Sequence, residues 1–326
     1  MLTEVRTHFG LVKELRQAGY YDTDGQKLLF KELKAAAQSG GLVALTGVIG
    51  CGKTTTLRRL FEEFSKENKI LVSKALSVDK NRTTLTTLIS ALFYDLSPNY
   101  KETKIPSLGE KRERELRDLI KKGKKPVVLF VDEAHDLQYS TLKGLKRLIE
   151  VIEDGGGKLS VVLAGHPKLK NDLRRPTMEE IGYRATILTL EGMVGSQREY
   201  INWLIKSCIN EGTKISDILT VEAIEILSEK LRTPLQIQQH LTLAMESAYQ
   251  AGEKPVTGVI VESVLSKQID ELEPRLMRNG YDVRSLAEQF NAKPAEIKAL
   301  LSGQLDPVRR KELADQMMMA GLPMLG

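Results

Sequence analysis

Apolar, β-branched residues recur in five short runs bounded by glycine, proline or charge: GLVALTG from Gly41, ILVSKAL from Ile70, VVLFVDE from Val127, LSVVLAG from Leu159 and ATILTL from Ala185. Such near-continuous runs predict strands buried on both faces. Between them the spacing changes. TTTLRRLFEEFSKE (Thr54 to Glu67), TTLTTLISALFYDL (Thr83 to Leu96) and STLKGLKRLIEVIED (Ser140 to Asp154) carry Leu, Ile or Phe at helical intervals. Strands alternating with helices predict an α/β fold whose five-stranded parallel sheet is covered on both sides.

After Glu191 the strand signal stops. SQREYINWLIKSCINEG, TVEAIEILSEKL, TPLQIQQHLTLAMESAYQAG and TGVIVESVLSKQIDEL read as helices punctuated by glycine and by Pro234, Pro255 and Pro274. The expected organisation is a nucleotide-binding α/β domain over 1–191, a helical lid over 192–273 and a small all-α module over 274–326. In that module, DVRSLAEQFNAKPAEIKALLSG has helix-turn-helix spacing, with Asn291 where glycine is usual at the turn. Its second helix offers Ala295, Glu296, Lys298 and Ala299, a poor surface for reading bases, so docking of a protein partner is expected.

Gly47, four residues, then Gly52-Lys53-Thr54 is the P-loop pattern, placed after a predicted strand and opening a predicted helix. Gly47, Gly50, Cys51, Gly52 and Thr55 would offer backbone amides to phosphates, where the helix N-terminus adds partial positive charge. Lys53 would neutralise β- and γ-oxygens, and the Thr54 hydroxyl would ligate Mg2+. The Cys51 thiol needs no role.

A P-loop holds phosphates without activating water, and VVLFVDEAH supplies the rest. Asp132 falls at the carboxyl edge of the sheet, where it would complete the magnesium shell, and Glu133 would polarise the attacking water. The expected reaction is hydrolysis of ATP with Mg2+. DEAH also occurs in a helicase superfamily, but those enzymes need a second strand series, and here the second half is helical. Small-molecule kinases use a P-loop without a glutamate directly after the second acidic residue.

Composition narrows the setting. In 326 residues only Cys51 and Cys208 are cysteines, which suggests neither a disulfide framework nor a zinc site and points to a cytoplasmic location. The four histidines suggest no metal-ligand cluster. No signal peptide is read at the start, and no run has the length of apolar residues a membrane helix needs. The net charge of +5 permits a polyanionic partner without demanding one.

With both Walker motifs in place, the chain resembles the AAA+ ATPases, within them the group of ExeA-like proteins and the transposition regulators TnsC, TniB, IstB and MuB. FGL near the start, GVIGCGKTT, VVLFVDEAHDL, LSVVLAGHPKLKNDL and IGYRATILTL occur in the family's order, from about Phe9 to about Leu265. The resemblance implies strands ordered fifth, first, fourth, third, second, a helical lid, and ATP bound between protomers of a hexameric ring or helical filament. His166 falls on the first sensor position, although a histidine after a strand is also commonly structural. Arg184 matches the arginine finger that enters a neighbour's site; Arg174 and Arg175 compete for the role, and pairing with Glu179 or Glu180 is the plainer reading. HFGL and Tyr20-Tyr21 lie where the family places adenine contacts. One departure stands out: in RTPLQIQQHL the family's second sensor arginine is absent, unless Arg232 or Gln236 substitutes, which suits a slow switch better than a motor.

Two functions follow from the resemblance. ATP-bound subunits would assemble on duplex DNA and recruit a transposase or target-selection protein, hydrolysis then dismantling the assembly; alternatively the ATPase would remodel protein complexes, as ExeA does in secretion. SVDKNRTT places Lys80, Arg82 and Thr83 as candidate DNA-backbone contacts. The basic stretch EKRERELRDLIKKGKK reads instead as a solvated helix with paired charges.

Overall fold

A computed structural model describes residues 1–74, 83–97, 105–265 and 271–324. Among these described residues five strands form: β1 (Gly41–Thr46), β2 (Leu71–Lys74), β3 (Val127–Val131), β4 (Leu159–Gly165) and β5 (Ala185–Thr189). They pair in parallel in the order β2-β3-β4-β1-β5, as the resemblance implied. Ahead of and between the strands come helices α1 (Thr3–Phe9), α2 (Asp24–Ser39), α3 (Lys53–Glu67), α4 (Leu85–Leu96), α5 (Gly109–Gly123), α6 (Tyr139–Asp154), α7 (Pro167–Leu173) and α8 (Glu179–Gly182). Then come α9 (Gln197–Lys206), α10 (Val221–Lys230), α11 (Pro234–Ala251) and α12 (Gly258–Val264), followed by α13 (Leu272–Arg278), α14 (Val283–Gln289), α15 (Pro294–Leu301) and α16 (Pro307–Met319).

The alternation of side chains along a strand sorts the sheet residues into two cores. Leu42 and Ala44 of β1 and Leu129 and Val131 of β3 face α4, α5 and α6. Their neighbours Val43, Leu45, Val128 and Phe130 face α2 and α3, where Leu60 and Phe64 are fully buried. Every residue of β3 and β4 is buried, which is why these runs are continuously apolar. The edge strand β5 is only partly covered. The basic α5 is the solvated helix expected, with Arg114 paired to Glu110 at 2.6 Å and Lys111 to Glu115 at 3.8 Å.

A third core belongs to the helical region, with Ile201, Leu241 and Met245 among its residues. It also takes in Val5, Phe9, Leu11 and Leu15, so the first turn of chain packs with the lid helices, a departure from a domain running continuously over 1–191. An apolar α1 face finds its partners there because the sheet's two faces are already filled by α2 to α6. A fourth core joins α13 to α16 through Leu276, Leu286, Ile297, Leu300 and Leu313. In its helix-turn-helix, Asn291 adopts φ 47, the left-handed conformation that glycine would otherwise supply.

Candidate nucleotide site

The site lies at the carboxyl edge of the sheet, where β1 runs into the P-loop and β3 into the acidic pair. Gly50 (φ 81) and Gly52 (φ 108) are left-handed, and a Cβ on Gly50 would also lie 2.6 Å from that of Leu235. The loop then passes directly into α3 at Lys53. The Lys53 ammonium, 6% exposed, donates to the carbonyls of Gly47 (2.8 Å) and Val48 (3.1 Å), which holds it over the loop. The Cys51 side chain is buried, and burial pushes its thiol pKa up, away from the reactive thiolate.

The two motifs meet directly. Thr54 Oγ1 donates to Asp132 Oδ2 at 2.8 Å, and Asp132 Oδ1 accepts from the Glu133 amide at 2.9 Å. A hydroxyl and a carboxylate oxygen side by side are hard donors of the kind Mg2+ takes, so these residues fit the ion. Glu133 itself sits at φ 54, ψ 37. For a non-glycine residue that conformation costs about 1–3 kcal/mol, and such outliers gather at functional sites.

Glu133 has companions that spacing did not reveal. Its Oε2 lies 3.4 Å from His135 Nδ1 and 3.7 Å from His166 Nε2, and the two imidazoles are 3.8 Å apart between centroids. His166 thus reaches the site, as its sensor assignment requires. The expectation that the histidines form no cluster is corrected: ligand atoms of Glu133, His135 and His166 lie within 4.8 Å of one another, close enough to share a metal ion. The cluster arises because the short helix after β3 and the turn after β4 are neighbours at one edge. The only sequence signal for His135 was its place in DEAH.

Beside the loop opens a cavity of about 430 Å³. Thr55 and Gly52 line one side, Tyr20, Tyr21 and Phe30 another, and Pro234 closes it from the lid. Arg59 is paired to Asp22 and lies over the Phe30 ring at 4.4 Å, which stiffens that wall. Tyr20 and Tyr21 therefore line the cavity beside the loop. Phe9 and Leu11 of HFGL do not, being buried in the helical core. On the lid, the Leu235 amide donates to the Gly50 carbonyl at 3.3 Å. The Gln236 Oε1 accepts the Arg232 and Thr233 amides in a capping box at 3.1 and 3.2 Å. Arg232 is exposed.

Arg184 lies elsewhere. Leu42, at the start of β1, registers with Ala185, so Arg184 is at the amino edge, opposite the P-loop of its own chain. It pairs with Glu150 at 2.6 Å with its side chain 66% exposed, while Glu180 pairs with Lys146. Arg175 pairs with Asp172 at 2.8 Å and Arg174 is exposed. Of the proposed DNA contacts, Lys80 and Arg82 lie outside the described residues. Thr83 is 6% exposed and its carbonyl accepts from Thr141 Oγ1 at 3.4 Å, so its assignment as a surface contact is not supported. Among the described residues, no helix is long and apolar enough to cross a membrane.

Residues 36–173 match the family model described as AAA domain, a span reaching from within α2 to the end of α7. Over 148 residues the chain is 33% identical to the general secretion pathway protein A of Aeromonas hydrophila, covering 45% of this chain and 26% of that protein. The chain thus spans about a quarter of the length of the curated relative it matches. Among solved structures, Cdc6p from Pyrobaculum aerophilum superposes with a TM-score of 0.58 at 15% identity, covering 95% of this chain and 90% of that one. The Drosophila ORC bound to DNA gives 0.54 at 16% identity, covering 97% and 83%. The fold is that of the AAA+ P-loop proteins, and identities at this level speak to the fold alone.

Proposed function

We propose that this chain is a slow, switch-like Mg2+-dependent ATPase that assembles on duplex DNA with ATP and recruits or activates a transposase, hydrolysis dismantling the assembly. The observation that carries the ATPase reading is the joined Thr54–Asp132–Glu133 arrangement over the P-loop. Lys53 and the loop amides bind the phosphates; Thr54 and Asp132 would hold Mg2+, which would supply positive charge to the phosphate oxygens. Glu133 takes the proton of the attacking water, and His166, beside it, orients that water or reads the γ-phosphate.

Arg184 supports an oligomer. On the opposite edge from its own P-loop, it serves as a finger only in a neighbouring subunit. The DNA and transposase part rests on the resemblance to the transposition regulators and on Lys80 and Arg82. The identity to general secretion pathway protein A favours a second reading, an ATPase that assembles or remodels protein complexes. Imaging the chain with duplex DNA and a non-hydrolysable ATP analogue decides between them. Rings or filaments around DNA are expected; ATP-dependent assemblies indifferent to DNA would favour the second reading.

A further inference from the structure

The C-terminal module, expected to dock a protein partner, also touches the candidate ATP site. Where α13 ends, the Arg278 carbonyl accepts from the Ile49 amide of the P-loop at 3.0 Å. The Asn279 carbonyl accepts from the Lys168 amide, in the first turn of α7, at 3.2 Å. Gly280 follows at φ 89, and a Cβ there would lie 2.7 Å from the Cβ of His166 and 3.0 Å from its Cδ2. Tyr281, 1% exposed, accepts from Asn171 Nδ2 at 2.7 Å.

Four consecutive residues therefore touch the P-loop, the sensor histidine and the helix that follows it. Only glycine lets the backbone pass this close to an imidazole. The same imidazole is 3.7 Å from Glu133, so it is held between the segment and the glutamate. Leu276 and Tyr281 also belong to the module's own core, so a movement of the module moves the segment.

We infer that Arg278–Tyr281 is a positioning segment of the ATP site: it sets the P-loop through Ile49 and backs His166 toward Glu133, so seating of the C-terminal module governs turnover. This rests on the ATPase reading above. A ligand that lifts the module off slows hydrolysis and prolongs the ATP-bound state without touching nucleotide.

Single-turnover hydrolysis, ATP affinity and amide exchange at Ile49 and Lys168 test this in the full chain, for Gly280→Val, His166→Ala and their double variant, with Met319→Ala, 90% exposed, as control. Gly280→Val is expected to slow turnover by roughly ten- to a hundredfold, with ATP affinity within about threefold, because positioning rather than binding is lost. The double variant should lose less than the product of the two single losses, because the part routed through His166 is already gone in His166→Ala, and Ile49 and Lys168 should exchange faster. Multiplying losses in the double variant, or wild-type turnover in Gly280→Val, would overturn the inference. Should Gly280→Val unfold the module, Tyr281→Phe, which loses only the bond from Asn171, is read in the same way: faster exchange with slower turnover supports the inference, and no change in either overturns it. If the wild type binds ATP without hydrolysing it, the ATPase reading fails by itself, and unchanged Ile49 exchange in Gly280→Val still overturns the seating.

Discussion

Replacing Glu133 with glutamine separates ATP binding from hydrolysis. Glutamine keeps the length and planarity of the side chain but cannot take a proton from water. The backbone at φ 54 is equally strained for either residue, and the Glu133 amide still donates to Asp132. Stability should therefore stay within about 0.5 kcal/mol. Phosphate binding as proposed, through Lys53 and the loop amides, does not use the Glu133 carboxylate, so ATP affinity should change by less than about threefold. General-base catalysis contributes roughly 10²–10⁴-fold, or about 2.7–5.5 kcal/mol of barrier, and that is the loss expected in single-turnover phosphate release. Fluorescent-nucleotide titration alongside rapid-quench hydrolysis measures both quantities. Turnover within about threefold of wild type would refute the water-activating role, as would a parallel collapse of ATP binding.

Arg184→Ala should bind ATP normally and hydrolyse it roughly 10³-fold more slowly, as for loss of an arginine finger. Mixing it with Glu133→Gln subunits should restore part of the activity, since a neighbour then supplies the arginine to an intact glutamate; no restoration argues against action across subunits. Replacing both Lys80 and Arg82 with alanine should weaken binding to every duplex sequence and reduce the salt slope by about 1–2, which titration over a salt series reads directly; an unchanged slope removes these residues from the interface. Asp282 caps α14 by accepting the Ser285 amide at 2.7 Å, and that bond holds its carboxyl below the ordinary value of 3.8. A lowered folded-state pKa contributes stability above the unfolded value, so the cap strengthens the C-terminal module near neutrality and fades as pH falls below about 4. Amide exchange in α14 compared between wild type and Asp282→Asn should converge at acid pH, and a gap that persists there would count against the cap.

The sheet and the nucleotide motifs were legible because their signals are local. A strand buried on both faces reads as an unbroken apolar run, and a P-loop is one contiguous turn whose glycines set its own backbone. The order of strands and the place of Arg184 needed the family's pattern. Asn291 looked like a defect in a turn until its left-handed backbone showed it doing what glycine does.

The residues proposed for the chemistry could thus be read from neighbouring positions: Gly47 to Thr54 for the phosphate loop, Asp132 and Glu133 for metal and water. What tertiary structure decided is which distant residues close around them. His135 and His166 come together at Glu133 because two strand ends are adjacent in the sheet. Phe9 is drawn into the lid core, while Tyr20 and Phe30 wall the cavity. Arg278 and Asn279 reach Ile49 and Lys168 across more than a hundred positions, through backbone carbonyls that every residue carries and no side-chain pattern announces. Contacts of that kind leave no periodicity, because the groups that form them are the same at every position in the chain.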